Sequence, residues 1–438
     1  MMFSDISEVK KWLDQWLVFG MNLGLDRMEW MLEQLDHPER RLRTIHIGGT
    51  NGKGSTLSYL SYILREAGYE VGSFTSPSLH VFNDRIMKDG VPISTVDLIE
   101  AVKLVKPVAE ALEETSLGAP TEFEVITMIA IVYFAKINPC DIVLFEVGLG
   151  GRHDSTNVIQ PMLTIITNVG HDHMKQLGTT LTEIAFEKAG IIKTGRPLIT
   201  AAEGEALEVF KGVVKEQHVK MYQLGQAFMD QPAGNSEAFA EVFSVRTPFH
   251  TYLDLKVNMI GQHQVKNATL AVMAADYLRV YYSFQLEEEV VRRGLEKMRW
   301  PGRFEQLSDK PSIFIDGAHN LEGMQAFVQT VQQHFKNKKI TVLFATLKDK
   351  DHEGLLCELA KVSERLVLTD FRLERAIEPQ AIVPLVPKSM SVQVISPWQE
   401  ALEQLVEDGR RSDAVLLITG SLYFIAQLRE YYKQHYAL

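Results

Sequence analysis

The sequence predicts an α/β protein of two domains, each built on a mainly parallel sheet, and three observations carry that reading. Short apolar segments alternate with amphipathic helical ones along most of the chain, the order that strand–helix–strand units require. Several apolar segments are unbroken rather than alternating, as strands covered on both faces must be; residues 141–147, DIVLFEV, are the clearest case. At 438 residues the chain is also long for one core, and Trp300-Pro301-Gly302-Arg303 puts a stop between two strand–helix series. The domains are therefore expected at 1–299 and 300–438.

Residues 5–36 read as two amphipathic helices, apolar at Ile6, Val9, Trp12, Leu13 and Trp16, then at Met28, Met31, Leu32 and Leu35, with a break at 20–24. Residues 44–57, TIHIGGTNGKGSTL, run from a short strand through a glycine-rich turn into a helix over 56–67. A second apolar segment, 70–75, stops at Ser76-Pro77-Ser78, because proline continues neither ladder nor helix. Helices are expected over 94–117 and 121–137. The strand at 141–147 ends in Glu146, and a strand at 162–167 delivers Asn168 to His173 at its end. A helix carrying Glu183, Glu187 and Lys188 precedes a strand at 196–200. From 201 to 256 the segments are short and mixed, with a Gly/Asn/Ser stretch at 231–237. Helices over 264–282 and 286–298 close the first series. Strands at 312–316, 340–346, 365–370, 391–396 and 414–419 make the second a small Rossmann-like domain.

Composition narrows the class. Hydrophobic residues at 46% and charged residues at 23% are those of a soluble globular protein. A net charge of −11 argues against general nucleic-acid binding. The two cysteines, Cys140 and Cys357, form neither a disulfide framework nor a metal-ligand spacing, so a reducing cytoplasm is expected. The N-terminal MMFSDISEVKKW lacks a signal-peptide core, and no apolar run reaches membrane-spanning length, so no membrane partner is expected.

The chemistry concentrates in Gly48-Gly49-Thr50-Asn51-Gly52-Lys53-Gly54-Ser55. Glycines let backbone N–H groups close around anionic oxygens, and the helix end behind them adds partial positive charge. Lys53 would reach outer phosphates and a nearby hydroxyl would face Mg²⁺, which makes the first domain a P-loop domain. The pattern GxxxxGK[ST] is met imperfectly, since Ile47 stands for its first glycine and Gly54 for its Ser/Thr. Ser76, Glu146, the cluster His171/Asp172/His173, and Asp316 with His319 fall at the ends of other strands. In an open parallel sheet such ends share one edge with the glycine loop. A hydroxyl, a carboxylate and an imidazole are thus expected around one Mg²⁺, a cation that prefers oxygen and keeps waters. Asp316 and His319 lie in the second domain and would reach a nucleotide only on domain closure.

These strings resemble the Mur-ligase superfamily in its folylpolyglutamate synthase/dihydrofolate synthase form, which carries a glycine where Gly54 stands. Further matching strings are Gly24-Leu25-Asp26-Arg27-Met28, Phe74-Thr75-Ser76-Pro77, Phe82-Asn83-Asp84-Arg85-Ile86 and Glu146-Val147-Gly148-Leu149-Gly150-Gly151-Arg152. Asp154-Ser155-Thr156-Asn157, Asp172-His173, Glu187-Lys188-Ala189-Gly190, Pro301-Gly302-Arg303, Asp316-Gly317-Ala318-His319-Asn320 and Thr419-Gly420-Ser421-Leu422-Tyr423 complete the run from about residue 20 to 425. Leu321 departs from it, where relatives commonly have proline, and His153 stands where they often have an apolar residue.

The resemblance implies a Mur-ligase-like fold and an ATP-dependent amide ligation, adding L-glutamate to a folate or to dihydropteroate through an acyl phosphate. It implies that Thr50, Asn51, Gly52, Lys53, Gly54 and Ser55 hold ATP with Asn267, Arg303, Asp316 and His319. Ser76, Glu146 and His173 would hold Mg²⁺, as one or two ions, and Lys188 matches a lysine often carried as a carbamate. Lys53, Lys188 and His319 would do the catalytic work, while Phe74, Thr75, Pro77, Arg152 and Asp154 would line the folate side. A monomer without nucleic-acid or membrane partners is expected. Two other readings stand beside this one. A ligase acting on a UDP-linked cell-wall precursor would need a UDP-binding domain before the loop, for which 50 residues leave no room. A non-catalytic nucleotide switch would need neither the Asp316/His319 pair nor the folate-side loops.

Overall fold

The structure, a computed structural model, describes residues 5–20, 22, 24–77, 82–232, 239–411 and 414–436. The chain forms two compact units. The first is Met1–Pro232, Phe243–Leu255 and Lys266–Met298, and the second is Ala233–Val242, Lys256–Val265 and Arg299–Leu438. Beside the single division read from the sequence, the structure thus assigns two short earlier segments to the second unit.

The first unit is organised by an eight-stranded sheet: β1 (Thr44–Gly48), β2 (Val71–Phe74), β3 (Ile86–Lys88), β4 (Val91–Pro92), β5 (Ile142–Glu146), β6 (Leu163–Ile166), β7 (Leu198–Thr200) and β8 (Met221–Gln223), in the order β4-β3-β2-β5-β1-β6-β7-β8. From β2 through β8 all neighbours in that order are parallel, and β3 and β4 are added antiparallel at one edge. Every residue of β1, β2, β5 and β6 is buried, which accounts for their unbroken apolar runs. Ile47 lies opposite Glu146, Phe74 opposite Phe145, and Gly48 opposite Ile166, so four strands end side by side. On one face the helices Thr95–Glu113 and Glu122–Val132 bury Leu98, Val105, Ile126 and Ile129 completely; each such side chain contributes roughly 1.5–3 kcal/mol.

Three more strands, β9 (Met229–Pro232), β10 (Glu241–Arg246) and β11 (Thr251–Val257), form a small sheet in the order β11-β10-β9. In the second unit β12 (Glu305–Ser308), β13 (Ser312–Ile315), β14 (Ile340–Phe344), β15 (Arg365–Leu368), β16 (Ser391–Val394) and β17 (Val415–Thr419) make a sheet ordered β12-β13-β17-β14-β15-β16. All are parallel except β12, and apolar clusters cover both faces, which is the doubly wound pattern.

Three local differences from the sequence reading have physical causes. The helix expected from residue 56 begins at Lys53, because Gly52 adopts φ +84° and caps it. The helix expected over 121–137 is entered through a Thr121/Glu124 capping box and ends at Val132, followed by a π-helical turn, Tyr133–Ile137. The mixed segment 201–256 contains a helix, Gly204–Glu216, besides strands β8 to β11. Parts of the break at 20–24, Ser78 after β2 and most of the stretch 231–237 lie outside the described residues. Among the described residues no helix is long and apolar enough to cross a membrane.

Candidate functional site

At the carboxyl edge of the first sheet, the chain leaves β1 and turns through Gly49, Thr50, Asn51 and Gly52 into the helix Lys53–Glu66. Two glycines are demanded by space as well as by positive φ. A Cβ on Gly49 would stand 1.9 Å from Oγ1 of Thr167, and one on Gly52 would stand 2.3 Å from Oδ1 of Asn267. The segment following β6 braces the turn. Thr50 N–H donates to the Asn168 carbonyl at 3.0 Å and Asn51 N–H to Oδ1 of Asn168 at 2.8 Å. Gly170 N–H donates to Oγ1 of Thr50 at 2.9 Å, and the Thr167 hydroxyl donates to the Asn51 carbonyl at 2.6 Å. The backbone N–H groups of Lys53, Gly54 and Ser55 occupy the first helical turn, where no intrahelical acceptor exists. A rigid turn with such donors behind it is a ready anion site.

Two lysines converge on this turn. Lys53 Nζ donates to the carbonyls of Gly49 and Thr50, each at 3.2 Å, and Lys188 Nζ donates to the same Gly49 carbonyl at 3.0 Å. Lys188 comes from the helix Leu181–Ala189 and is only 4% exposed. Burial, and then the neighbouring charge of Lys53, push its pKa down to about 7, against the pull of Asp172 and Asp154. Its neutral amine is therefore well populated at neutral pH.

Beside the loop, adjacent strands bring Ser76 and Glu146 together. Glu146, 5% exposed at the end of β5, accepts the Ser76 N–H at 3.3 Å on Oε2. His173 sits on the segment after β6, with φ +52° and its side chain 40% exposed, its Nε2 4.0 Å from the Asp172 carboxylate. Among the described residues no three His, Cys, Asp or Glu side chains form a ready metal cage. A carboxylate beside a hydroxyl is still the hard-oxygen donor set that suits Mg²⁺, which fills its remaining positions with water and phosphate.

The folate-side candidates are placed less uniformly. Phe74 is a core residue, its ring 5.9 Å from Phe123 and 5.8 Å from Phe145. Thr75 N–H bonds the Arg85 carbonyl at 3.0 Å, while Pro77 is exposed. Arg152 lays its guanidinium over Phe186, 4.0 Å from the ring centroid. Asp154 is buried, and its carboxylate accepts from Leu149 N–H at 2.8 Å, from Thr156 N–H at 3.0 Å and from the Thr156 hydroxyl, all within its own loop.

In the second unit Asp316 follows β13 and organises the turn after it, accepting Ala318 N–H at 2.8 Å and Phe304 N–H at 2.9 Å. The His319 Nδ1–H donates to the Gly317 carbonyl at 2.7 Å, which makes Nε2 the acceptor of the neutral ring. A Cβ on Gly317 would lie 2.3 Å from Nη1 of Arg303, so glycine lets Arg303 pack against the turn. Asn320 caps the helix Leu321–His334 through Gly323 N–H at 2.8 Å, so Leu321 starts that helix without proline. Sequence reasoning passed over three participants. Thr167 and Asn168 form the loop's second wall, and their signal was position at the end of a strand neighbouring β1. His263 is half-buried in the field of Asp316 and Arg303; desolvation holds its pKa down, Asp316 opposing and Arg303 reinforcing.

Comparison with known proteins agrees over the whole chain. The Mur ligase middle domain model matches residues 47–275, and the model of the Mur ligase glutamate ligase domain matches 302–422. The chain is 40% identical to the dihydrofolate synthase/folylpolyglutamate synthase of Bacillus subtilis, over 98% of this chain and 99% of that one. It is 34% identical to the folylpolyglutamate synthase of Lacticaseibacillus casei, over 92% and 93%. Among solved structures, the Mycobacterium tuberculosis folylpolyglutamate synthase complexed with ADP and AMPPCP superposes with a TM-score of 0.90 at 28% identity, covering 98% of each chain. A folylpolyglutamate synthase complex with AMPPCP and folate gives 0.83 at 32%, covering 97% and 98%. The chain belongs to the Mur ligase family, in its folylpolyglutamate synthase/dihydrofolate synthase branch.

Proposed function

We propose that this chain is an ATP-dependent ligase that joins L-glutamate to a folate substrate, dihydropteroate included, through an acyl phosphate. The observation that carries the proposal is the shared sheet edge, where the braced glycine turn and Lys53 stand beside the Ser76–Glu146 pair. The phosphates of ATP take the N–H groups of the turn and the helix end, with Lys53 swinging from its loop carbonyls to the outer phosphate. To the nucleotide we also assign Asn267, Arg303, Asp316 and His319. The substrate carboxylate attacks the γ-phosphoryl group, releasing ADP; the glutamate amine then attacks the acyl carbon, phosphate leaves, and the amine gives up a proton. Ser76, Glu146 and His173 would hold Mg²⁺, which when bound neutralises phosphate charge. The acyl phosphate is easily hydrolysed, so the chain must keep water from it until the amine arrives.

Lys188 is assigned a carbamate. Its neutral amine adds to CO₂, forming an N–C bond and losing one proton, which turns an uncharged buried amine into an anion. Its buried, depressed pKa also predicts a pH signature. The folded group titrates near 7 and the unfolded one near 10.5, so between them the unfolded chain holds more protons. The stability due to Lys188 is complete above the unfolded pKa and is lost as pH falls through about 7. In CO₂-free buffer, denaturant titrations of Lys188→Met should show a shallower rise in stability from pH 7 to 9 than the native chain. Equal slopes would mean that Lys188 is not a buried neutral amine.

The function is tested by ADP release with folate or dihydropteroate and L-glutamate, each alone and both together. Release is expected only with both; release that required a UDP-linked precursor, or ignored the amino acid, would overturn the proposal. Incorporation of labelled glutamate into dihydropteroate and into tetrahydrofolate derivatives then separates the two activities.

A further inference from the structure

His46 sits in the middle of β1, completely buried, two residues before the strand ends at the glycine turn. A buried imidazole among Ile45 and Ile47 has no place in the phosphate chemistry described above. Its Nε2 lies 2.8 Å from Oγ1 of Thr156, also completely buried, and its Nδ1 has no hydrogen-bond partner among the described residues. The Thr156 hydroxyl is simultaneously bonded to Oδ1 of Asp154.

The proton positions in this chain follow from counting donors. Burial raises the pKa of Asp154 and its donors oppose the rise, but each of its oxygens already accepts a backbone N–H, Oδ2 from Leu149 and Oδ1 from Thr156, so the group faces the Thr156 hydroxyl as an acceptor. A carboxylate only accepts, so the single hydroxyl proton of Thr156 points to Asp154. The Thr156 oxygen must then accept from His46, which places the imidazole proton on Nε2 and leaves Nδ1 bare. Burial pushes the His46 pKa down to about 3, so no second proton joins it. The result is one directed line: Nε2–H of His46 to Thr156, Oγ–H of Thr156 to Asp154, and Asp154 to the turn at Leu149. The same loop is tied at its far end, where Nδ2 of Asn157 donates to the carbonyls of Arg152 at 3.0 Å and Gly190 at 3.1 Å. Residues 148–157 are thus held both to the strand that leads into the glycine turn and to the end of the helix that carries Lys188.

We propose that His46 is a positioning residue for the folate-side loop, orienting Asp154 through Thr156 and so fixing where residues 148–157 meet the substrate. The proposal rests on the reading of that loop as folate-lining. It explains why a strand otherwise filled by apolar and small residues carries an imidazole with one nitrogen unpaired. The glycine turn is braced separately by Thr167, Asn168 and Gly170, so loosening the 148–157 loop should leave ATP binding intact.

The test compares Thr156→Val and His46→Leu, which remove one hydrogen-bonding group each, with Thr156→Ser and His46→Gln, which keep the hydroxyl and an Nε donor. Steady-state kinetics should give a KM for the folate substrate raised about tenfold in the first pair, with KM for ATP within about twofold. The second pair should return toward the native values. Since both groups belong to one line, His46→Leu/Thr156→Val should be no worse than the poorer single variant. Amide hydrogen exchange supplies a readout independent of any substrate: Leu149 and Thr156 should exchange faster in His46→Leu, while β5 stays protected. Unchanged exchange, a parallel rise in both KM values, or additive effects in the double variant would each overturn the proposal. If the native chain ligated glutamate to no folate, the functional reading would fail while the exchange experiment still judged the line itself.

Discussion

Lys53→Ala should leave a folded protein that forms almost no ADP, with kcat/KM for ATP reduced by about 10³-fold, equivalent to ~4 kcal/mol of lost transition-state stabilisation. The ammonium is the mobile cation of the turn; Nζ is parked on the Gly49 and Thr50 carbonyls, within reach of any anion the turn cradles. Phosphoryl transfer is catalysed by position and charge neutralisation, so removing this charge cannot be offset by the backbone donors alone. Folding should survive, because the turn is braced by Thr167, Asn168 and Gly170 rather than by the lysine, and alanine is well tolerated in a helix. A second consequence separates loss of charge from loss of shape. Lys53 is the second cause, after burial, of the lowered Lys188 pKa, so Lys53→Ala should move the Lys188 titration upward from about 7. Wild-type turnover in the variant would remove Lys53 from the site; an unmoved Lys188 titration would mean that the two ammonium groups do not sense each other.

How much of this was legible before the fold was seen depends on the range of the interaction. Gly49 to Ser55 could be read because glycines, a lysine and a helix start lie consecutively, and the unbroken run of β5 put Glu146 at a strand end. Parallel order then joined Glu146 to Ser76, since strand ends in such a sheet fall on one edge. Nothing local marked Thr167 and Asn168 as the turn's second wall, because that bracing needs β6 beside β1, more than a hundred residues apart. Residues 201–256 were opaque for another reason. β8 and β9 are too short to show a period, although β10 does alternate, burying Glu241, Phe243 and Val245. Asp154 illustrates a different limit. The family resemblance puts Asp154 among the folate-lining residues, whereas its bonds run to Leu149 and Thr156, and no sequence pattern distinguishes outward from inward use of the same residue type.

Glu146→Gln is the sharper test of the metal assignment than Glu146→Ala, although both should lower ADP formation by about 10³-fold at ordinary Mg²⁺ concentrations. Glu146 ends a strand paired on both sides, by β1 and β2, and accepts the Ser76 N–H. Alanine would remove that acceptor and open space at a buried strand end, mixing a packing loss with a chemical one. Glutamine keeps the volume and an oxygen for Ser76, and deletes only the charge. If the carboxylate holds Mg²⁺, the glutamine variant should keep its unfolding midpoint near that of the native chain and require at least about tenfold more Mg²⁺ for half-maximal ADP formation, a ligand-set effect. Since the braced turn and Lys53 are untouched, nucleotide affinity measured without Mg²⁺ should change little. A variant with native turnover, or one whose loss of turnover carried no change in Mg²⁺ dependence, would move Glu146 from metal ligand to structural end of strand β5. The Ser76 hydroxyl and His173 would then be left without the anionic partner that gives their placement meaning.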